Sequence, residues 1–138
     1  AASDVYKRQG MLDGKPTAVL LTRGDRYAAE LLEELRERTP GIQILCAGKL
    51  PSGTAEKLSL RDALAPAERR GRGNAYARGG WWLHDRILTD TALTVIRADV
   101  FARRDLLDPR SGTPLPTYRR QRYTGGIGRY FPIFLYIK

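Results

Sequence analysis

The stretch "TAVLLTRGDRYAAELLEELRERTPGIQILCA", Thr17–Ala47, sets two short apolar runs on either side of an amphipathic segment. The middle is the clearest helix of the chain. Ala28, Leu31, Leu32 and Leu35 fall on one stripe at helical spacing. Asp25 is placed to cap the start. Glu30 and Glu34 come early and Arg36 and Arg38 late, as the helix dipole favours. Thr39-Pro40-Gly41 ends the helix. Ile42–Ala47 reads as a strand. Thr17–Thr22 is too short for periodicity to separate a strand from a helix end. A strand–helix–strand reading would bring two strands together in parallel, because antiparallel strands need only a tight hairpin. That keeps an α/β fold in view.

The rest of the chain argues for α+β. Ala55–Ala65 has a weaker helical pattern, and Glu68–Gly80 is a loop rich in Gly and Arg. "WWLHDRIL" (Trp81–Leu88) and "LTVIRADVF" (Leu93–Phe101) flank the short polar connection Thr89–Ala92, the spacing of an antiparallel hairpin. Ala102–Pro116 reads as a helical turn followed by loop, and Gly125–Lys138 as a glycine turn leading into a strand. Helices followed by a run of strands predict an α+β domain with an antiparallel sheet. "SDVYKRQ" (Ser3–Gln9) resembles the translated end of a sequencing adapter. Residues 1–9 are therefore expected to be a tail, with the domain spanning residues 10–138. The apolar end "FPIFLYIK" suggests that a C-terminal part is missing.

At 138 residues the chain suits one domain with a core of ordinary size. A content of 42% hydrophobic and 28% charged residues excludes a disordered composition. No apolar run reaches the roughly 18–20 residues of a membrane span, so no membrane partner is expected. One cysteine, Cys46, and one histidine, His84, exclude an internal disulfide and the usual Cys/His zinc site. The expectation is a reduced cytoplasmic protein with neither metal nor cofactor. A net charge of +9 by itself admits nucleic acid, an anionic membrane face or a small anionic ligand. The basic clusters are Arg69, Arg70, Arg72 and Arg78; Arg103 and Arg104; and Arg119, Arg120 and Arg122. All lie in turn-rich stretches, which favours solvated loops over one binding face.

Arg23-Gly24-Asp25 spells an adhesion tripeptide, but Asp25 as a helix cap explains it better. "GRG" (Gly71–Gly73) and "GGIG" (Gly125–Gly128) lack the spacing of a nucleotide fingerprint, and turns account for their glycines. His84 is a candidate acid–base group or a packed histidine. Arg86 and Arg97 would form a carboxylate fork if they met across the hairpin. The competing arrangement is two cross-strand ion pairs, Arg86 with Asp99 or Arg97 with Asp85.

The ordered set "LLTRGDRYAAELLEEL", "GIQILCAGKLP", "AEKLSL", "WLHDRIL", "TVIRADVF" and "GGIGRYF" resembles the chorismate lyase-like superfamily. That superfamily includes chorismate pyruvate-lyases and the ligand-binding domains of GntR-type regulators. The resemblance implies an antiparallel sheet flanked by helices and enclosing a small-ligand pocket, and elimination of pyruvate from chorismate to give 4-hydroxybenzoate without a cofactor. Carried over, His84 and Arg86 would be the catalytic pair, with His84 orienting the ligand or moving a proton. Arg86 and Arg97 would clamp carboxylate, Ile127 and Gly128 would offer backbone N–H donors, and Arg129 would complete the ligand site. The chain departs from the pattern at His84, where those lyases carry arginine, and at Arg97, displaced by one residue. The late glutamate strand is absent. Two alternatives stand beside the lyase: a non-catalytic effector-binding domain of a transcription regulator, and a basic nucleic-acid-binding module. The composition leaves the oligomeric state open.

Overall fold

The computed structural model describes residues 5–12, 14–24, 27–51, 53–124, 126 and 128–138. The chain folds as two compact units: residues 1–63, 85–96 and 137–138 form one, and residues 64–84 and 97–136 the other.

The first unit is built on a five-stranded mixed sheet of order β1-β2-β3-β7-β4. Strands β1 (Val5–Leu12) and β2 (Lys15–Arg23) pair antiparallel. Helix α1 (Ala28–Arg38) then carries the chain over to β3 (Gln43–Lys49), which lies parallel to β2. Strand β7 (Arg86–Asp90) runs antiparallel to β3, and β4 (Leu60–Asp62) antiparallel to β7. The fold is therefore α+β with a mixed sheet. The wholly antiparallel sheet is corrected: the Thr17–Ala47 stretch forms a parallel pair, because α1 is long enough to return the chain to the same end of the sheet.

Register explains the core. Ala18 pairs with Ile44, and Leu20 with Cys46. Cys46 in turn pairs with Leu88. Alternation along each strand puts this set on one face. Ala28, Leu32 and Leu35 of α1 lie in the same cluster, joined by Ile42, Leu58 and Leu60. Leu20, Leu32 and Ile44 are wholly buried, and each such side chain contributes about 1.5–3 kcal/mol. Gly48 of β3 faces Thr22 of β2, and any Cβ there would collide with the Thr22 carbonyl oxygen. Its φ of 121° also disfavours a side chain.

Several boundaries differ from the sequence reading. Helix α1 starts at Ala28, with Tyr27 at the N-cap and no side-chain capping bond; Asp25 lies outside the described residues. Val5–Gln9, expected to be a tail, pairs with Ala18–Thr22 as part of β1. The weak helix over Ala55–Ala65 divides at Ser59, whose φ of 53° is left-handed. Helix α2 (Thr54–Leu58) ends there, and Leu60–Asp62 becomes β4. The hairpin between Trp81–Leu88 and Leu93–Phe101 does not form. Trp81 and Trp82 belong to β6 (Gly80–Trp82), the chain bends at His84 and Asp85, and β7 enters the large sheet. There Ile87, Leu88 and Thr89 are buried, which a two-stranded ribbon cannot achieve.

The second unit holds α3 (Ala65–Arg69) and short two-stranded ribbons. Strand β5 (Ala75–Ala77) pairs antiparallel with β6. Strand β9 (Tyr118–Arg119) pairs with β10 (Arg122–Tyr123), and β8 (Val95–Val100) pairs with β11 (Ile133–Ile137), a ribbon whose residues 95, 96 and 137 belong to the first unit. Buried Asn74 ties this unit together. Its backbone N–H donates to the Trp82 carbonyl at 3.1 Å, and its carbonyl accepts from the Phe131 N–H at 2.8 Å. Its side chain donates to the Phe131 carbonyl at 3.2 Å and accepts from the His84 N–H at 2.7 Å. Four bonds satisfy a polar group that burial would otherwise penalise.

Candidate nucleic-acid interface

The segment "TYRRQRYT", Thr117–Thr124, folds back on itself. Tyr118 stands opposite Tyr123, and Arg119 opposite Arg122. Arg120 and Gln121 make the two-residue turn, with φ of 48° and 67°. Two left-handed positions match the twist of a tight hairpin, although glycine or asparagine usually occupies them. Below the strands, the Thr124 N–H donates to the Thr117 carbonyl at 3.0 Å, and the Thr124 hydroxyl donates to the Pro116 carbonyl.

A second loop anchors the hairpin. Buried Asp108 accepts from the Arg119 guanidinium and, at 2.9 Å, from the Arg110 N–H. The Arg110 N–H and then Arg119 hold the Asp108 carboxyl below the usual carboxylate range, against the opposing effect of burial. Arg119 is thus a fixed member of the group. Among the described residues, Arg120 and Arg122 have no acidic partner. The tyrosine rings lie 5.8 Å apart at 64°, and both are about two-thirds exposed. Arg119, Arg120, Arg122, Tyr123 and Thr124 line a cavity of about 490 Å³. Unpaired guanidinium groups and exposed aromatic rings on one short hairpin suit an anionic chain of stackable rings.

The residues singled out from the sequence go elsewhere. The His84 ring lies flat on Tyr130, centroids 4.0 Å apart at 6°, with Trp82 edge-on at 5.2 Å. Its Nδ1 is buried without a hydrogen-bond partner among the described residues. Arg86 belongs to the first unit, where its Nη1 lies 3.1 Å from Asp62. Arg97 belongs to the second, 5.3 Å above the Phe134 ring and 3.9 Å from Asp99. The hairpin on which the carboxylate fork rested does not form: Arg86 and Arg97 sit on strands that do not pair, Arg86 beside Asp62 and Arg97 beside Asp99. The alternative pairs of Arg86 with Asp99 and Arg97 with Asp85 are replaced by these two. Gly128 has a φ of 129°, Arg129 is exposed, and Ile127 lies outside the described residues.

Asp99 collects three arginines. Arg72 Nε donates to it at 2.7 Å, and Arg70 and Arg97 lie within 4 Å. Burial pushes its carboxyl up, but the Val100 N–H, Arg72 and Arg70 outweigh that and hold it below the usual range. The Gly71–Gly73 loop lines a smaller cleft of about 170 Å³ with Trp81, Val100 and Phe131. Among the described residues, no three His, Cys, Asp or Glu side chains gather where they could hold a metal ion. No helix among them is long and apolar enough to cross a membrane.

The tyrosines of the hairpin were missed. Their signal was the near-mirror order Tyr-Arg-Arg-Gln-Arg-Tyr, which places like residues opposite each other once the turn closes.

No protein-family model and no curated protein matches the chain. Solved structures do. Humanized TDP2 from D. rerio matches with a TM-score of 0.56 at 12% identity, over 97% of this chain and 60% of that one. D. rerio TDP2 complexed with single strand DNA product matches at 0.54 and 10%, over 95% and 60%. Beta toxin 275-280 from Staphylococcus aureus matches at 0.57 and 13%, over 97% and 57%. The chain thus spans about three-fifths of the length of these proteins. The shared feature is the overall fold of these structures. It overturns the chorismate lyase-like reading, and with it the pyruvate-eliminating site and the regulator effector domain that depended on that fold.

Proposed function

We propose that this chain is a single-strand nucleic-acid-binding domain on an exonuclease/endonuclease/phosphatase fold, with the β9–β10 hairpin as its contact surface. The observation that carries the reading is the hairpin itself: it bears Arg120 and Arg122 without acidic partners among the described residues, together with the exposed rings of Tyr118 and Tyr123. Guanidinium groups attract phosphates and displace condensed counterions, and tyrosine faces stack on bases of any identity. The net charge of +9 brings a polyanion toward the surface. The likeness to TDP2, one structure of which holds a single-stranded DNA product, is consistent with this class of ligand.

The test is the salt dependence of binding to a fluorescent oligothymidylate. Each phosphate neutralised on a single strand adds about −0.7 to the slope of log K against log salt. The double variant Arg120→Ala/Arg122→Ala is expected to bind more weakly and to lose about 1.4 from that slope. Wild-type binding with no salt dependence, or a double variant with an unchanged slope, would refute the assignment.

A further inference from the structure

The fold is named for enzymes that break phosphate esters. Such hydrolysis commonly relies on divalent cations held by carboxylates and imidazoles, which clamp the attacking and leaving oxygens. The donor set among the described residues does not fit such a cation. Among the described residues no cluster of three suitable ligands exists. The single imidazole, His84, has one face covered by Tyr130 and an edge-on tryptophan beside it. The single thiol, Cys46, is wholly buried in the core of the large sheet. The two buried carboxylates are already neutralised, Asp99 by Arg72 with Arg70 and Arg97, and Asp108 by Arg119. Of the more exposed ones, Asp62 pairs with Arg86, Asp90 with Arg36 and Asp105 with Arg103. A cation would have to displace a guanidinium at each of these oxygens. Guanidinium thus already satisfies these carboxylates.

We propose that this chain grips phosphate with arginine alone, so that it binds a single strand without a divalent cation and leaves that strand uncut. The proposal rests on the nucleic-acid-binding reading above. The experiment uses the full chain and a fluorescent oligothymidylate, with anisotropy recorded in EDTA, in Mg²⁺ and in Mn²⁺. The strand is then run on a denaturing gel, and Mn²⁺ alone is titrated into the protein by calorimetry. The expected result is one affinity in EDTA and Mn²⁺ to within about twofold, apart from ordinary ionic screening. An intact strand and no saturable Mn²⁺ heat are expected with it. A gain of about tenfold or more with Mn²⁺, strand shortening that EDTA abolishes, or stoichiometric Mn²⁺ uptake would each overturn it. Absence of strand binding in every arm would refute the nucleic-acid reading instead, and the Mn²⁺ titration would still decide whether the chain holds a cation.

Discussion

Tyr118 and Tyr123 face each other across the β9–β10 hairpin, ring centroids 5.8 Å apart and planes inclined at 64°. Each ring presents most of its surface to solvent, so neither is needed for the core. Tyr118→Ala and Tyr123→Ala are each expected to weaken single-strand binding by about 1–3 kcal/mol, the range for loss of one base–aromatic stack. Phenylalanine at either position should retain most of the affinity. Anisotropy titrations at one salt concentration check this, with circular dichroism confirming that the fold is kept.

The turn between those strands stores strain that glycine would relieve. Gln121 holds a φ of 67°, a conformation that costs a residue with a Cβ roughly 1 kcal/mol. Gln121→Gly is expected to stabilise the hairpin by up to about that amount, less the entropy glycine gains in the unfolded chain. Hydrogen exchange at the Thr124 amide, which bonds to the Thr117 carbonyl, reports the change locally. Slower exchange with unchanged strand affinity is the expected outcome.

Gly48 is the opposite case, a position where only glycine fits. A methyl group there would meet the Thr22 carbonyl across the parallel β2–β3 pair, at a φ of 121°. Gly48→Ala is expected to destabilise the chain by several kcal/mol, roughly 3 or more, because backbone has to move in the centre of the sheet. Urea unfolding followed by circular dichroism measures the loss.

Burial pushes the Cys46 thiol up to about 12, against the opposing effects of the Leu88 backbone and Arg36. The thiol stays protonated at ordinary pH, and the thiolate is the reactive form. Iodoacetamide is therefore expected to leave the native protein unmodified under mildly alkaline conditions and to label it readily in urea. Mass spectrometry distinguishes the two states. Rapid native labelling would place Cys46 outside the core.

Acid should weaken the second unit through Asp99 and Asp108. Both carboxyls are held below their ordinary value of 3.8, by backbone N–H groups and by arginine. A lowered folded pKa contributes stability that is fully present above the unfolded value and lost as pH falls through the folded one. Unfolding midpoints are therefore expected to fall as pH drops below about 4. Asp99→Asn is expected to be less stable at neutral pH and to show a shallower acid limb.

The hairpin that the sequence suggested, Trp81–Leu88 with Leu93–Phe101, shows why local patterns misled. Both segments alternate as strands do, and the short polar link between them suits a tight turn. Alternation says that a segment pairs, not with which partner. Ile87, Leu88 and Thr89 reach deeper burial against β3 and β4 than against β8, so β7 leaves its neighbour for the large sheet. Arg86 goes with β7 and Arg97 stays on β8, so the strand pairing on which their fork rested is absent. In the same way, His84 drew attention as the only histidine, yet its surroundings are aromatic stacking and the Asn74 network. A lone residue type carries no information about its neighbours.

What the sequence determined by itself is local. The stripe Ala28, Leu32, Leu35 required a helix with one buried face, Ile42–Ala47 required a strand, and the charge required an anionic partner or a solvated basic surface. What only the tertiary structure decided is which distant segments meet. The parallel β2–β3 pair, the capture of β7 and the Arg119–Asp108 anchor depend on burial and electrostatics summed over the whole chain. The hairpin lies between these cases. Its residues were in view from the start, but tyrosine facing tyrosine and arginine facing arginine follows only from a turn at Arg120 and Gln121, which their own backbone preferences resist.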